Sequence, residues 1–315
     1  MHTRSFGTRL ALIVMVSLPL TSCQFIDELQ AIRTFKDANI AYQRSDYPLA
    51  VELYNEVLGN DPSLTVAHFY LANSYDQQYR PSLRGEREND EMLDMAIDHY
   101  ITSVDSEPNV EMRKLSMQYL VAAFGPDKAN APAKSEPVLQ MMIEADPSNP
   151  DNYFVLSKLY EDSGLFEEAE EVLTRVQDLR ADDPIVHMRV AGFYDRNEEF
   201  ERTIEALGRR AALEPDNPEA YYTIGNFYWQ KAFRDFQISD EEEMEYVMLG
   251  LEQLDLALNL NADYTEALTY KNILLRLQAN LTEDLDEREA LIEEADALRE
   301  RAEELLKIQR GGGAN

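Results

Sequence analysis

The chain has 315 residues, 60 acidic and 29 basic side chains, a formal charge of −31 and a single cysteine. A polyanion of this kind disfavours nucleic acid and bare anionic membrane surfaces, and it suits either basic partners or plain solubility. One cysteine leaves no intramolecular disulfide, so the fold must rest on packing.

Residues 1–22 read as a leader. Arg4 and Arg9 supply a positive start, and Leu10 to Leu20 is an apolar run of 11 residues, too short to cross a bilayer as a helix. Leu20-Thr21-Ser22-Cys23 follows. This resembles the lipobox of bacterial lipoproteins, where small residues precede the cleaved bond and the cysteine thiol is acylated. The resemblance implies lipidation at Cys23. Several acyl chains, at roughly 0.8 kcal/mol per buried methylene, make a lasting anchor. Gln24 rather than aspartate follows the cysteine. In that family this implies an outer-membrane address facing the periplasm, where the envelope has an outer membrane.

Beyond the leader the apolar residues recur at helical spacing. Phe25 to Gln43 reads as a first helix, and Tyr47, Ala50, Tyr54 and Pro62 mark its partner. A second unit starts near Thr65 with Leu71, Ala72 and Tyr75, then Ala96, Tyr100 and Pro108. Pro62 and Pro108 lie 46 residues apart, so about twelve residues are inserted between its helices. In the third unit Met117, Leu120, Val121 and Phe124 make a helix that Gly125-Pro126 breaks, and Pro132 and Pro137 frame a loop before a helix running to Pro147. That loop is the expected bend or seam.

The regular heart of the chain runs from Pro150 to Tyr228. Pro150, Pro184 and Pro218 stand 34 residues apart, as do Tyr160, Tyr194 and Tyr228, and the small residues Ser157, Ala191 and Gly225. Phe166 and Phe200, and Leu173 and Leu207, keep the same step. Gly164 ends a helix because glycine tolerates a left-handed backbone, and proline after Asp183 starts the next. The sixth unit holds about 13 extra residues before Leu254, with Ser239 and Glu242 forming a capping box. A seventh pair spans Thr265–Ala279 and about Glu283–Ile308. In its last helix Leu291, Ala295, Leu298, Ala302 and Leu305 form one stripe on a charged rod. That is the pattern of a capping helix; a coiled-coil seam would need three or four heptads.

These units resemble tetratricopeptide repeats. A 34-residue period marks a helix–turn–helix array, in which stacking supplies the core no hairpin can bury alone. The expected fold is all-α: a right-handed superhelical solenoid of about seven hairpins over residues 23–310, with a C-terminal capping helix. Repeats fall at about 31–64, 65–110, 111–149, 150–183, 184–217, 218–264 and 265–309, with a disordered tail at 311–315.

The resemblance also implies a concave groove lined by first-helix positions. These are Phe35, Asn39 and Tyr42; Phe69, Asn73 and Asp76; Phe154 and Lys158; Met188; and Tyr222, Asn226 and Trp229. Asparagine can pair with a peptide backbone as donor and acceptor, and aromatics supply hot-spot area. For any single position, solvated helix surface is the competing reading. Phe35 and Phe69 occupy a position where the family's carboxylate-clamp form needs a basic residue, so carboxylate recognition does not carry over. The two insertions share a pattern: Asn73, Tyr75, Tyr79-Arg80 and Glu91-Met92 match Asn226, Tyr228, Phe233-Arg234 and Glu243-Met244. Either both helices of each pair lengthen, or Tyr79, Arg80, Arg84 and Arg87, with Phe233 and Arg234, form docking knobs.

No phosphate loop, nucleophile elbow or zinc-protease motif is present, so no catalytic residue, metal or cofactor is expected. The expected function is a lipid-anchored envelope scaffold that binds proteins or extended peptides, basic ones among them. Resemblance points to outer-membrane protein assembly, pilus or secretin assembly, polysaccharide export or protease adaptation. The alternative is a structural lipoprotein that only self-associates. Oligomeric state stays open.

Overall fold

The computed structural model describes the backbone of residues 19–312 and the side chains of residues 26–310. The first 18 residues, the side chain of Cys23 and residues 313–315 lie outside the described residues, and with them most of the leader, the lipidation site and the end of the expected tail. Among the described residues the chain is all-α, with fourteen α-helices and no strand. None of these helices is long and apolar enough to cross a membrane.

The helices pair in chain order: α1 (Pro19–Gln43) and α2 (Tyr47–Asn60); α3 (Val66–Asp76) and α4 (Arg87–Ser106); α5 (Val110–Ala123) and α6 (Pro132–Ala145). Then come α7 (Pro150–Asp162) and α8 (Phe166–Leu179), followed by three further pairs: α9 (Pro184–Arg196) and α10 (Phe200–Leu213); α11 (Pro218–Arg234) and α12 (Asp240–Leu260); α13 (Thr265–Leu281) and α14 (Leu285–Gly312). The 34-residue step has a local cause. Asn149, Asp183 and Asn217 each cap a helix by accepting from the backbone N–H two residues on, and proline follows each in the first helical position, where its missing N–H costs nothing.

The turns repeat as well. Ser45, Gly164 and Glu198 occupy equivalent turn positions, and all three hold positive φ, at 58°, 75° and 61°. After each, the next amide closes back to a carbonyl five residues earlier: Asp46 to Ala41, Leu165 to Tyr160 and Glu199 to Tyr194, all at 2.9 Å. This is the left-handed closure that satisfies the orphan carbonyls at a helix end.

The described residues fall into two compact units that divide between Ala169 and Glu170. The seam expected at the Gly125–Pro137 loop is therefore not where the division falls; it falls within α8. Pro137 frames no loop either, because it lies inside α6, which starts at Pro132.

In the first unit Ala31, Ala38, Ala41, Ala50, Tyr54, Val57, Ala67 and Leu71 form a closed core. The small residues let the helices approach, and Tyr54 and Tyr100 are fully buried. In the second unit Val247, Leu251, Leu254, Ala257, Leu274, Leu275 and Ala295 form the core, with Leu291 and Leu298 packed against it. Helix α14 buries Ala295 and Ala302 and leaves its charged faces to solvent, as a capping helix does.

The two insertions fold differently. In the sixth repeat both helices lengthen, α11 to 17 residues and α12 to 21, against 13 and 14 in α9 and α10. At 1.5 Å per residue this projects the hairpin by about 6–10 Å. The capping box is present, with Ser239 N donating to Glu242 at 2.8 Å and Glu242 N donating to Ser239 Oγ at 3.2 Å. In the second repeat α3 stays at 11 residues. Its extra chain becomes an irregular segment with a 3-10 turn at Pro81–Leu83, and only α4 lengthens, to 20 residues.

Candidate functional site

The first-helix face of the second unit holds the strongest constellation. Tyr222, Asn226, Trp229 and Phe233 recur at helical spacing along α11. Tyr264, just before α13, and Tyr270 within it complete the surface. The Tyr222 ring lies 5.4 Å from Tyr264 and 5.7 Å from Tyr270, and Trp229 meets Tyr270 edge-on at 4.9 Å. Trp229 stacks on Phe233 at 5.6 Å, and the Arg234 guanidinium sits 5.9 Å from the indole. Tyr222, Asn226, Trp229 and Tyr270 are half-buried and Phe233 is 53% exposed. Each ring is thus held on one side and open on the other.

Polar groups on this face are partly committed. Gln230 donates to Asn226 Oδ1 at 2.7 Å, and Asn226 Nδ2 donates to the Tyr222 hydroxyl at 3.4 Å. The Trp229 indole N–H is shut off from water without an acceptor. Such a donor carries a desolvation cost. Burial raises the Tyr222 hydroxyl above its ordinary range and pushes Tyr264 up to about 12. Both are neutral donors at physiological pH.

The first unit corrects the groove expectation. Phe69, Asn73 and Asp76 are buried, with Asn73 only 1% exposed. Asn73 Oδ1 accepts from the Tyr42 hydroxyl at 2.8 Å, and Asn73 Nδ2 donates to the Tyr100 hydroxyl at 3.1 Å. Tyr100 donates in turn to Asp76 Oδ2 at 3.4 Å, and Lys128 grips both Asp76 oxygens at 2.6 and 2.7 Å. These groups are used up by the fold, because a tyrosine on α4 and a lysine beyond α5 reach them first. Asn39 accepts from Tyr54 at 2.7 Å, and Phe35, Asn39 and Tyr42 remain half-buried. Phe154 is buried, Lys158 is exposed and pairs with Asp162, and Met188 is 44% exposed.

The basic knob expected in the second repeat folds back as well. Tyr79 is buried. Arg84 donates to the carbonyls of Pro126, at 2.8 Å, and of Lys128, latching the segment onto the α5–α6 turn. Arg87 pairs with Glu91 at 2.9 Å, and the Arg80 amide donates to Asn89 at 2.8 Å. In the sixth repeat the knob projects: Phe233 and Arg234 are exposed, and Phe236 at the tip is 94% exposed.

Sequence reasoning missed Tyr70, Tyr119, Tyr264, Tyr270, Lys128 and Phe236. Tyr70 is the hub of the first unit's rings, 5.4 Å from Tyr42, 5.8 Å from Tyr54 and 6.2 Å from Phe35. Reading the seventh pair for its first-helix face would have found Tyr270. The Nδ1 atoms of His68 and His99 lie 3.0 Å apart, so one ring donates to the other. Among the described residues no group of three or more His, Cys, Asp or Glu could hold a metal ion.

The described residues form an all-α array of helical hairpins, a fold similar to that of tetratricopeptide repeat structures. Residues 128–191 match the tetratricopeptide repeat family model. No curated protein matches the chain. Among solved structures it is similar to the C-terminal part of a TPR repeat-containing protein from Cytophaga hutchinsonii, with a TM-score of 0.54, 14% identity, and 86% of this chain and 99% of that one covered. It is also similar to YrrB, described as a TPR protein with an unusual peptide-binding site, with a TM-score of 0.42, 18% identity, and 65% and 97% covered. MamA from Desulfovibrio magneticus gives a TM-score of 0.40, 14% identity, and 62% and 96% covered.

Proposed function

We propose that this chain is a non-catalytic scaffold that binds an extended segment of a partner protein on the first-helix face of α11 and α13, while Cys23 holds it to a membrane of the cell envelope. The observation that carries the binding is the half-open aromatic face of Tyr222, Trp229 and Tyr270. An extended chain covers the open sides of these rings, the kind of contact that makes aromatic hot spots. The net charge of −31 favours basic partner segments. The anchor rests on the Leu20-Thr21-Ser22-Cys23 motif alone. An envelope-assembly role, in outer-membrane protein insertion, pilus or secretin building, polysaccharide export or protease adaptation, fits an anchored scaffold.

Crosslinking in cells, followed by mass spectrometry, tests the reading. Foreign proteins crosslinked near Trp229, and lost in Trp229→Ala with Tyr270→Ala, support it. Crosslinks only between copies of the chain would replace it with a self-associating structural lipoprotein. Labelled palmitate that still enters Cys23→Ala would remove the anchor.

A further inference from the structure

A second surface is formed by α12, α13 and α14 in the last two repeats. Met248, Leu251, Glu252, Asp255 and Leu256 form one stripe of α12; Lys271, Leu275 and Gln278 form one of α13; and Leu291 and Glu294 of α14 close the far wall. Together they enclose an open valley of about 460 Å³. Its floor is apolar, with Leu251 and Leu275 buried. Its wall is apolar but wet, since Met248 is 50% exposed and Leu256 39%. Unbranched methionine at such a wall adapts to differently shaped side chains.

The charges at the valley are unbalanced. Lys271 is its one cation, and that ammonium is already shared between Asp255 at 2.8 Å and Glu294 at 2.9 Å. Glu252 is exposed and has no ion-pair partner among the described residues. The nearby arginines are occupied: Arg276 by Asp296 at 2.6 Å, Arg301 by Asp263 at 2.7 Å, and Arg288 by the carbonyls of Ala279 and Thr282 at 2.9 and 3.0 Å. The valley therefore offers an apolar trough with surplus carboxylates on its rim.

We infer that this valley is a second docking surface, and that its occupant is an amphipathic helix with an apolar stripe flanked by lysine or arginine. A helix laid between α12 and α14 places residues at i, i+3, i+4 and i+7 onto Met248, Leu251, Leu256 and Leu291. Its basic flanks meet Glu252, Asp255 and Glu294, and the charge match fixes orientation and speeds encounter. This surface shares no residue with the aromatic face of α11 and α13, so one scaffold can hold two segments at once.

The test uses the purified full chain and two labelled helical peptides, each of about four turns with leucines at i, i+3, i+4 and i+7, one flanked by lysines and one by glutamates. Fluorescence anisotropy is expected to show the lysine peptide binding at least about tenfold more tightly, with affinity falling as salt rises. Leu256→Asp should abolish that binding, and Glu252→Lys should weaken it about fivefold. Both positions are exposed, and unchanged melting curves would confirm that the variants fold. Trp229→Ala should leave binding intact, which separates this surface from the aromatic face. Equal binding of the two peptides, or binding unaffected by Leu256→Asp, overturns the inference. So does sedimentation showing that the valley is instead covered by a second copy of the chain.

Discussion

Lys128 places one ammonium against both carboxylate oxygens of Asp76, at 2.6 and 2.7 Å, and so ties the α5–α6 turn to the end of α3. Asp76 is almost wholly buried, and the lysine is about a quarter exposed. Removing the lysine strands a carboxylate beside the Tyr100 hydroxyl, and breaking a buried pair from one side is costly. Lys128→Met should destabilise the first unit by about 2–3 kcal/mol, below the full buried-pair cost because water still reaches the lysine. The Asp76→Asn/Lys128→Met double variant should recover most of the loss in a denaturation cycle.

Gly225 and Gly250 allow α11 and α12 to close on each other. A Cβ on Gly225 would stand 2.8 Å from Leu254 Cγ and 3.2 Å from the Gly250 carbonyl oxygen. Leu254 is fully buried and has nowhere to go. Gly225→Ala should therefore cost about 1–3 kcal/mol by overpacking, despite alanine's better helix propensity. Combined with Leu254→Ala, the loss should be smaller than the sum of the two single losses, as measured by unfolding in urea.

The turn position shared by Gly164 and Glu198 separates backbone strain from packing. A Cβ on Gly164 would meet nothing within 4 Å, so the site is sterically open but conformationally demanding at φ +75°. Gly164→Ala should cost about 1 kcal/mol, the penalty for a left-handed L-residue. Glu198→Gly should raise stability by up to about 1 kcal/mol, since a charged residue now holds φ at 61°. Paired melting curves of the two variants check both signs.

His68 and His99 make the first unit sensitive to acid. Burial lowers the pKa of both rings, that of His99 to about 4. The unfolded chain regains the ordinary value near 6.5, so it takes up protons that the fold refuses. Stability should be unaffected by these groups above about pH 6.5 and should fall as pH drops through 6.5 toward about 4. Protonating the accepting Nδ1 also removes the acceptor of the hydrogen bond between the two rings. His68→Gln/His99→Gln should flatten this part of the pH–melting profile relative to the parent chain.

Much of the fold was legible because its causes are local. Asn149-Pro150, Asp183-Pro184 and Asn217-Pro218 announce helix starts within two residues, and Gly164 announces a stop. The stripe through Leu291, Ala295, Leu298 and Ala302 disclosed a capping helix because every neighbour needed to read it lies on the same helix.

The candidate site was legible only in part. Asn73 and Asn226 sit in matching motifs, yet Asn73 is consumed by Tyr42 and Tyr100 while Asn226 stays half-open. Tyr79 and Phe233 match in the same way, yet one turns inward and the other projects. Sequence by itself determined the hairpins, their order and the face each first helix presents, because hydrogen bonding, capping and apolar periodicity act within a few turns. Only the tertiary structure decided which polar groups on that face stay available. A buried amide or carboxylate is claimed by whichever partner packs nearest, and Lys128 reaches Asp76 across 52 positions of chain that no local spacing records.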